Sequence, residues 1–420
     1  MGAKAYPTIR AIPEEIDLAL IVIPAPLTVD TVEDCAIRGV KVAIIISGGF
    51  KELGTEGGLH LQAKLRNIAN QSGMRIVGPN TVGVANPAAN LVASFQSSFG
   101  LARAGSVAVV SQSGGMSAYI VHALTMDNSG ISKVIGLGNR CNLDFEDLIS
   151  YLSGDKDTRV IALYIEGLEH PRRLMAAARQ AVKSKPIVIL KGGRGEGSRQ
   201  ATFSHTGALA GRYEIYRAAF RQSGMITVDS VAELVDTVKA LTFYPPPVGN
   251  RVAVLSVQAG PGIVIADRCR EQGLKLAEFS PATAKRLRQL ISPMNSVDNP
   301  LDISWKFTEF DASRGILNAV LADDGVDAAI VACVFYDAHM ELIRAAIDVT
   351  KSPHKPIVVC LDSPGGLAAA QIESLETNGI PTYPLPERAV TGVAGLVRYG
   401  EIMVNHSFTT FHPEKVNISR

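Results

Sequence analysis

The sequence predicts an α/β fold built from doubly wound, mainly parallel sheets. Short apolar runs rich in β-branched residues alternate with longer amphipathic segments along most of the chain. This is the pattern of strands that are covered by helices on both faces. Only 6% of the residues are aromatic, whereas 38 are glycine, and such a composition favours many tight strand-to-helix turns over a β-sandwich.

Ten segments show the strand pattern, each as a short run that is apolar on both faces. They are Leu18–Ile23, Val42–Ser47, Arg75–Val77, Ser106–Ser111, Lys133–Gly136, Val160–Ile165, Pro186–Leu190, Arg251–Ser256, Ala328–Val334 and Pro356–Cys360. The amphipathic stretches between them predict the covering helices. One of these helices is expected to start near Gly114 and to run through Ala118–Ala123.

Two glycine- or proline-rich stretches, at residues 100–105 and 244–249, divide the chain. An internal repeat supports the division, because Ser106–Gly115 is similar to Arg251–Gly260. Two successive flavodoxin-like units are therefore predicted. The resulting domains are residues 1–100, 101–244 and 245–405, with a tail at 406–420. The first unit starts as if in mid-domain and is expected to be incomplete.

Charge and cysteine content exclude several classes of function. The 41 basic and 40 acidic residues leave a net charge of +1, so no nucleic acid or membrane surface is expected as a partner. The five cysteines lie far apart and lack zinc-site spacing. They predict reduced, mostly buried thiols, no metal site and a cytoplasmic protein.

A glycine-rich turn at the end of the fourth predicted strand is the strongest local motif. It consists of Ser111, Gln112, Ser113, Gly114 and Gly115. Glycine lets the backbone approach an anion closely, and the free amides at a helix start point toward such an anion. These residues are candidates for phosphate binding. An ordinary βα turn with a serine N-cap would have the same local pattern.

His205 and Glu166 are the candidate catalytic residues. His205 lies among small and hydroxyl-bearing residues in a glycine-rich loop, where a neutral imidazole can act as a nucleophile. Glu166 ends an apolar strand, the position at which doubly wound folds bind ligands. A surface histidine and a solvated strand end are the competing interpretations. Among the other histidines, His339 is expected to face solvent.

Three further strand ends run into loops of proline, glycine and small polar residues, at 21–26, 43–49 and 77–83. If these loops lie at neighbouring strand ends, they form one crevice. Three ordinary βα connections would also explain them.

Taken together, seven segments resemble the NDP-forming acyl-CoA synthetases, which include ADP-forming acetyl-CoA synthetase and the α subunit of succinyl-CoA synthetase. The segments are IPAP (23–26), GPNTVG (78–83), VVSQSGG (109–115), GLGN (136–139), YIEG (164–167), LKGGR (190–194) and SHTGALAG (204–211). They occur in the order found in that family.

The resemblance implies a fold and a set of site residues. The first unit is expected to be a partial CoA-binding Rossmann domain, followed by two succinyl-CoA-synthetase-like flavodoxin domains. His205 matches the phosphorylated histidine, Glu166 matches the acid that holds it, and Ser111–Gly115 matches the turn that receives phosphate. The residues matching the CoA loops are Pro24, Ala25, Pro26, Ser47, Gly48, Pro79 and Asn80.

The implied activity is that of an acid–thiol ligase working through acyl phosphate and phosphohistidine. Its substrates are an acyl-CoA, or coenzyme A with a small carboxylic acid. ADP/ATP or GDP/GTP, with Mg²⁺, is expected on an ATP-grasp β subunit that is a separate chain, within an oligomer.

Two alternatives remain at this level. One is the acyl-CoA-binding pseudo-ligase region of a Pat-type protein acetyltransferase, and the other is an inactive CoA-binding scaffold. An intact His205 favours the ligase over the first alternative. An NAD-linked oxidoreductase is disfavoured, because the chain lacks a GxGxxG turn followed by an acidic residue.

Overall fold

A computed structural model of the chain describes residues 4–195, 212–334, 339–352, 355–362 and 364–408. The chain forms two compact units, Met1–Val238 and Lys239–Arg420. Their boundary falls inside a helix, a few residues before the boundary expected from the proline-rich stretch at 244–249. No helix in the described ranges is both long enough and apolar enough to cross a bilayer.

The first unit contains ten strands in its described part. They are β1 Leu18–Ile21, β2 Val42–Ile45, β3 Arg75–Val77, β4 Gly83–Asn86, β5 Leu91–Ser94, β6 Ala104–Ser111, β7 Ile131–Gly136, β8 Val160–Ile165, β9 Ile187–Lys191 and β10 Ile226–Val228. Its helices are α1 Ala25–Ile37, α2 Glu56–Ser72, α3 Gly114–Met126, α4 Phe145–Gly154, α5 Pro171–Ala181 and α6 Tyr213–Gln222, and α7 Val231–Phe243 crosses the boundary between the units.

Two sheets make up this unit. The first is parallel with strand order β1-β2-β3, and the second has the order β10-β9-β8-β6-β7-β4-β5. Helices α1 and α2 cover one face of the first sheet through residues such as Val32 and Leu65, both fully buried. On its other face, Ile44 and Val77 pack against Ala93 of β5. The two sheets therefore share a core, which brings their loops together.

Strands β4 and β5 differ from the sequence prediction. They pair antiparallel with each other, and β4 also pairs antiparallel with β7. The stretch 83–94, assigned above to the domain at 1–100, thus adds two strands to the edge of the second sheet. Each strand has only four residues of mixed polarity. Such a hairpin lacks the apolar run by which parallel strands are recognised.

The second unit is a doubly wound parallel sheet with its own core. Its strands are β11 Arg251–Ser256, β12 Lys275–Leu276, β13 Leu301–Asp302, β14 Ala328–Val334, β15 Ile357–Asp362 and β16 Thr382–Tyr383. Its helices are α8 Ala259–Glu271, α9 Pro281–Leu290, α10 Phe310–Leu321, α11 Met340–Val349, α12 Ala369–Thr377 and α13 Pro386–Phe408. The strand order is β12-β11-β14-β15-β16, with β13 also paired to β11.

Alternate residues of β11 enter opposite cores of this unit, as the two-residue period of a strand requires. Ala253 and Leu255 pack in the cluster that contains Ile316 of α10. Val252 and Val254 pack with α8 and α13. Both faces of the sheet are thus covered, which explains why the strand sequences are apolar throughout.

Most of the predicted elements are confirmed, but the expectation for His339 is wrong. All ten predicted strands are present within a few residues, α3 starts at Gly114, and the five cysteines are free and buried. His339, however, is 2% exposed rather than solvent-facing. Its ring lies edge-on to Phe307 at 4.7 Å between centroids. Helix α13 also continues to Phe408, three residues into the segment predicted as a tail.

Candidate active site

The turn from β6 into α3 exposes the start of a helix. The Ser111 hydroxyl donates to the carbonyl oxygen of Ser113 at 2.7 Å. The Ser113 hydroxyl, as N-cap, accepts from the Met116 amide at 3.4 Å. The amides of Gly114 and Gly115 come before this cap bond. They are among the first N–H groups of the helix, which have no hydrogen-bond acceptor within the helix. An anion at this point would meet two amides and the positive end of the helix dipole.

Glycine is required at the first of these two positions. A Cβ on Gly114 would lie 2.4 Å from Cγ1 of Val82, whereas a Cβ on Gly115 would meet no atom within 4 Å. The close packing of Val82 on Gly114 joins the β3–β4 loop to the helix start. Packing therefore requires glycine at position 114, whereas position 115 has room for a larger side chain.

Glu166 follows β8 directly and is 8% exposed. Its backbone amide and that of Gly167 donate to Oε1 of Gln112, at 2.9 and 3.1 Å. The Tyr164 hydroxyl donates to Oε1 of Glu166 at 3.4 Å. Burial, and then the charge of Glu166, raise the pKa of Tyr164, so this hydroxyl keeps its proton. Gln112 thus ties the helix-start turn to the strand end that carries the acid.

Lys191, at the end of β9, is a buried cation beside Glu166. Its Nζ donates to the carbonyl oxygen of Glu166 at 2.7 Å and to that of Gly192. Burial lowers the pKa of Lys191 to about 8, against the opposing attraction of the Glu166 charge. Sequence reasoning quoted Lys191 only as part of a family segment and assigned it no role.

The three loops predicted to bind CoA lie next to one another. The hydroxyl of Ser47 donates to the carbonyl oxygen of Ile23, beside Pro24. The amide of Asn80 donates to the carbonyl oxygen of Ser47 at 2.9 Å. A Cβ on Gly48 would lie 3.4 Å from Oδ1 of Asn80. Hydrogen bonds therefore link the first loop to the second and the second to the third.

Within these loops the side chains differ in exposure. Pro24, Pro26 and Gly48 are exposed, whereas Ala25 is 6% exposed. Pro79 is buried behind a cis peptide bond, and Asn80 is exposed with a φ of 59°. Asparagine adopts this left-handed backbone more readily than most residues. The loops thus form one surface at the carboxyl end of the first sheet.

A pocket of about 230 Å³ joins the third loop to the helix start. Five predicted residues line it: Asn80, Gln112, Ser113, Gly114 and Gly115. The other predicted residues in the described part do not, namely Pro24, Ala25, Pro26, Ser47, Gly48, Pro79, Ser111 and Glu166. Ser111 is fully buried under the turn, and Glu166 reaches the pocket residues through Gln112.

Two cations that sequence reasoning missed also line the pocket. Lys51 forms an ion pair with Glu169, and Nη1 of Arg140 lies 3.1 Å from Oδ1 of Asp144. Burial acts to raise the pKa of Glu169, but the hydrogen bond and charge of Lys51 outweigh it and lower that pKa. No local pattern separates these two cations from the other lysines and arginines. Only the tertiary structure brings them to the helix start.

Glu52 holds the rim of this pocket. Its carboxylate accepts from the amides of Gly49 and Phe50 and from Nδ2 of Asn139. Burial acts to raise the pKa of Glu52, but these hydrogen bonds outweigh it and lower that pKa. Glu52 is thus kept as an acceptor that joins the loop after β2 to the loop after β7.

His205 lies outside the described residues, with the rest of 196–211. Its position relative to Glu166 is therefore not part of the geometry above. In the described ranges, no group of three or more His, Cys, Asp or Glu side chains could hold a metal ion.

Two family models match separate parts of the chain. Residues 1–87 match a model of a CoA-binding domain, and residues 104–241 match a model of the succinyl-CoA ligase-like flavodoxin domain. The α subunit of ADP-forming acetate–CoA ligase II from Pyrococcus furiosus is 40% identical over 405 residues, which cover 94% of this chain and 87% of that subunit. The chain belongs to the family of ADP-forming acyl-CoA ligases. The family, fold class and enzyme class predicted from the sequence are confirmed.

Further members of this family differ in length. ADP-forming acetate–CoA ligase I of Archaeoglobus fulgidus is 38% identical over 403 residues, and the chain spans only 57% of it. Among solved structures, acetyl-coenzyme A synthetase 1 of Ca. Korarchaeum cryptofilum, in complex with phosphate and ADP, superposes with a TM-score of 0.89. It is 32% identical, with 98% of this chain and 89% of that chain covered.

Proposed function

We propose that this chain is the α-type subunit of an NDP-forming acyl-CoA ligase that works through acyl phosphate and phosphohistidine. Phosphate attacks the thioester carbonyl of an acyl-CoA, which forms acyl phosphate and releases CoA as the thiol. The phosphoryl group then moves to His205 and releases the carboxylic acid. ADP or GDP finally accepts the phosphoryl group from the phosphohistidine, which forms the nucleoside triphosphate.

One observation carries the proposal. Gly114 and Gly115 of the helix start and Asn80 of the third CoA loop line the same pocket, together with the cations Lys51 and Arg140. A thioester held by the CoA loops would thus present its carbonyl beside a site suited to phosphate. Helix-start amides and cations stabilise the charge that develops during such a transfer.

The roles of the predicted residues follow from this pocket. Ser111–Gly115 would receive phosphate, with Ser111 and Gln112 supporting the turn. The loops at Pro24–Pro26, Ser47–Gly48 and Pro79–Asn80 would hold CoA. Glu166 would accept a hydrogen bond from the imidazole of His205 and set its tautomer. The sequence resemblance alone supports the role of His205.

Nucleotide, with Mg²⁺, would bind to an ATP-grasp β subunit in a separate chain. The α-subunit names of the Pyrococcus furiosus relatives support a second polypeptide in the complex, and we propose that the complex is oligomeric. A cytoplasmic location is supported by five free cysteines.

Labelling tests the proposal directly. The chain is reconstituted with its ATP-grasp subunit and incubated with γ-labelled ATP. We expect label on this chain that is labile at low pH and stable at high pH. The label should be absent in His205→Ala and should be lost when a carboxylic acid substrate and CoA are added. The His60→Ala variant, altered at an exposed helix residue, should label as the wild type does. Absence of label in the wild type, or label that survives in His205→Ala, would overturn the proposal.

A further inference from the structure

Lys191 is a buried lysine whose contacts connect three elements next to Glu166. It is 3% exposed, and its Nζ donates to the carbonyl oxygens of Glu166 and Gly192. The same Nζ lies 4.8 Å from the ring centroid of Tyr216, on the face of α6. A buried ammonium is costly unless each of its N–H groups finds a partner. This one contacts the strand end of Glu166, the residue after β9 and helix α6.

The backbone around Lys191 leaves little freedom. A Cβ on Gly192 would lie 2.3 Å from the hydroxyl oxygen of Tyr164, and that hydroxyl donates to Oε1 of Glu166. In addition, Oε1 of Gln112 accepts from the amides of Glu166 and Gly167. Glu166 is therefore bonded at its amide, its carbonyl and its carboxylate.

We propose that Lys191 is a positioning residue of the ligase reaction, whose ammonium holds the Glu166 carbonyl and the start of the segment after β9 in one arrangement. The inference rests on the proposed function of Glu166. Lys191 does not line the pocket, so it acts through Glu166 and not on the acyl-CoA. A geometric requirement of this kind affects turnover more than substrate binding.

A second lysine at the other end of the same strand supplies a matched control. Lys185 precedes β9, and its Nζ donates to two carbonyl oxygens, those of Leu152 (2.7 Å) and Asp155. Its stabilising contacts are of the same type, but they lie at the amino end of the sheet, away from Glu166. A purely structural role for Lys191 predicts that the two lysines behave alike.

The test measures ATP formation from acetyl-CoA, ADP and phosphate by the chain reconstituted with its ATP-grasp subunit. For Lys191→Met we expect kcat to fall at least about tenfold and the KM for acetyl-CoA to stay within about twofold. Lys185→Met should keep kcat per folded subunit within about twofold. If Lys191→Met does not fold, Lys191→Gln is measured instead. Its neutral side chain is shorter and has two N–H donors in place of three, so its kcat should also fall below that of Lys185→Met.

A double-mutant cycle separates positioning from stability. In a Glu166→Gln background, Lys191→Met should change kcat by less than about twofold, because the two residues act as one unit. Equal losses in both backgrounds, or equal kcat values for the Lys191 and Lys185 variants, would overturn the inference and leave the proposed function intact. A wild-type complex that is inactive with every acyl-CoA tested would overturn both.

Discussion

The turn after β6 and the turn after β11 are two copies of one structure with different side chains. In both, a serine that ends a buried strand donates to the carbonyl oxygen two residues on, Ser111 to Ser113 and Ser256 to Gln258. Both then enter a helix of 13 residues. The first helix has a side-chain N-cap bond, and the second has none. The backbone of a helix start is thus common to both units.

The register of the paired strands aligns the two units residue by residue. Four polar residues of the first unit correspond to apolar residues of the second: Gln112 aligns with Val257, Tyr164 with Ala332, Glu166 with Val334 and Lys191 with Leu361. The sheet itself does not require these polar groups, because a closely similar sheet forms without them. We therefore attribute the burial of these polar groups in the first unit to a role in binding or catalysis.

The largest effect is expected from Glu166→Gln, which removes the charge but keeps the shape of the side chain. We expect ATP formation by the reconstituted complex to fall about 100-fold or more, the typical contribution of a positioned acid or base. Asp362→Asn, at the end of β15 in the second unit, should leave the rate unchanged. A comparable loss of ATP formation in both variants would contradict the conclusion that only the first unit carries the reaction.

The second prediction concerns the pH dependence that Lys191 adds to stability. Its pKa of about 8 in the folded chain lies below the ordinary lysine value of about 10.4. Between these two values the unfolded chain binds the extra proton, so the free energy of unfolding rises with pH in this window. The rise should approach about 3 kcal/mol and be absent in Lys191→Met. Urea denaturation of both proteins at pH 7.5 and 10 measures it, and an equal response would refute the buried-cation interpretation.

A third variant places at Gly114 the alanine that the second unit carries at the matching position, Ala259. The new Cβ would clash with Val82, so we expect a loss of about 1–3 kcal/mol of stability. We also expect a higher KM for phosphate. Gly115→Ala, where a Cβ meets open space, should be nearly neutral. Adding Val82→Ala to Gly114→Ala should restore part of the loss. Melting temperature and the KM for phosphate report the two effects, and a harmless Gly114→Ala would show that the packing is loose.

The smallest effect is expected from the two serines. Ser111→Ala and Ser256→Ala each remove one hydrogen bond to a backbone carbonyl, and each should cost about 1 kcal/mol of stability. Only Ser111→Ala should also raise the KM for phosphate, because only its turn lines the pocket with Lys51 and Arg140. Matching kinetic changes in the two variants would indicate that both turns bind phosphate.

Much of the fold and part of the site can be predicted from the amino-acid sequence. The ten predicted strands contain short apolar runs, and the turn at Gly114 has a glycine that sterics demand. Strands β4 and β5 escape such a prediction because an antiparallel edge hairpin has no such run. The burial of His339 could not be predicted from the sequence, because its ring partner, Phe307, lies more than thirty residues away along the chain.

The sequence by itself determined ten of the strands, the repeat of two similar units and the family. Each of these follows from local periodicity or from short motifs, which depend on neighbours along the chain. The tertiary structure alone decided which charged groups lie at the candidate site. Lys51, Arg140 and Lys191 are separated widely along the chain, and a lysine or arginine in a sequence carries no mark of its distant partner. Their positions arise from the packing of loops at neighbouring strand ends, where burial strengthens charge interactions.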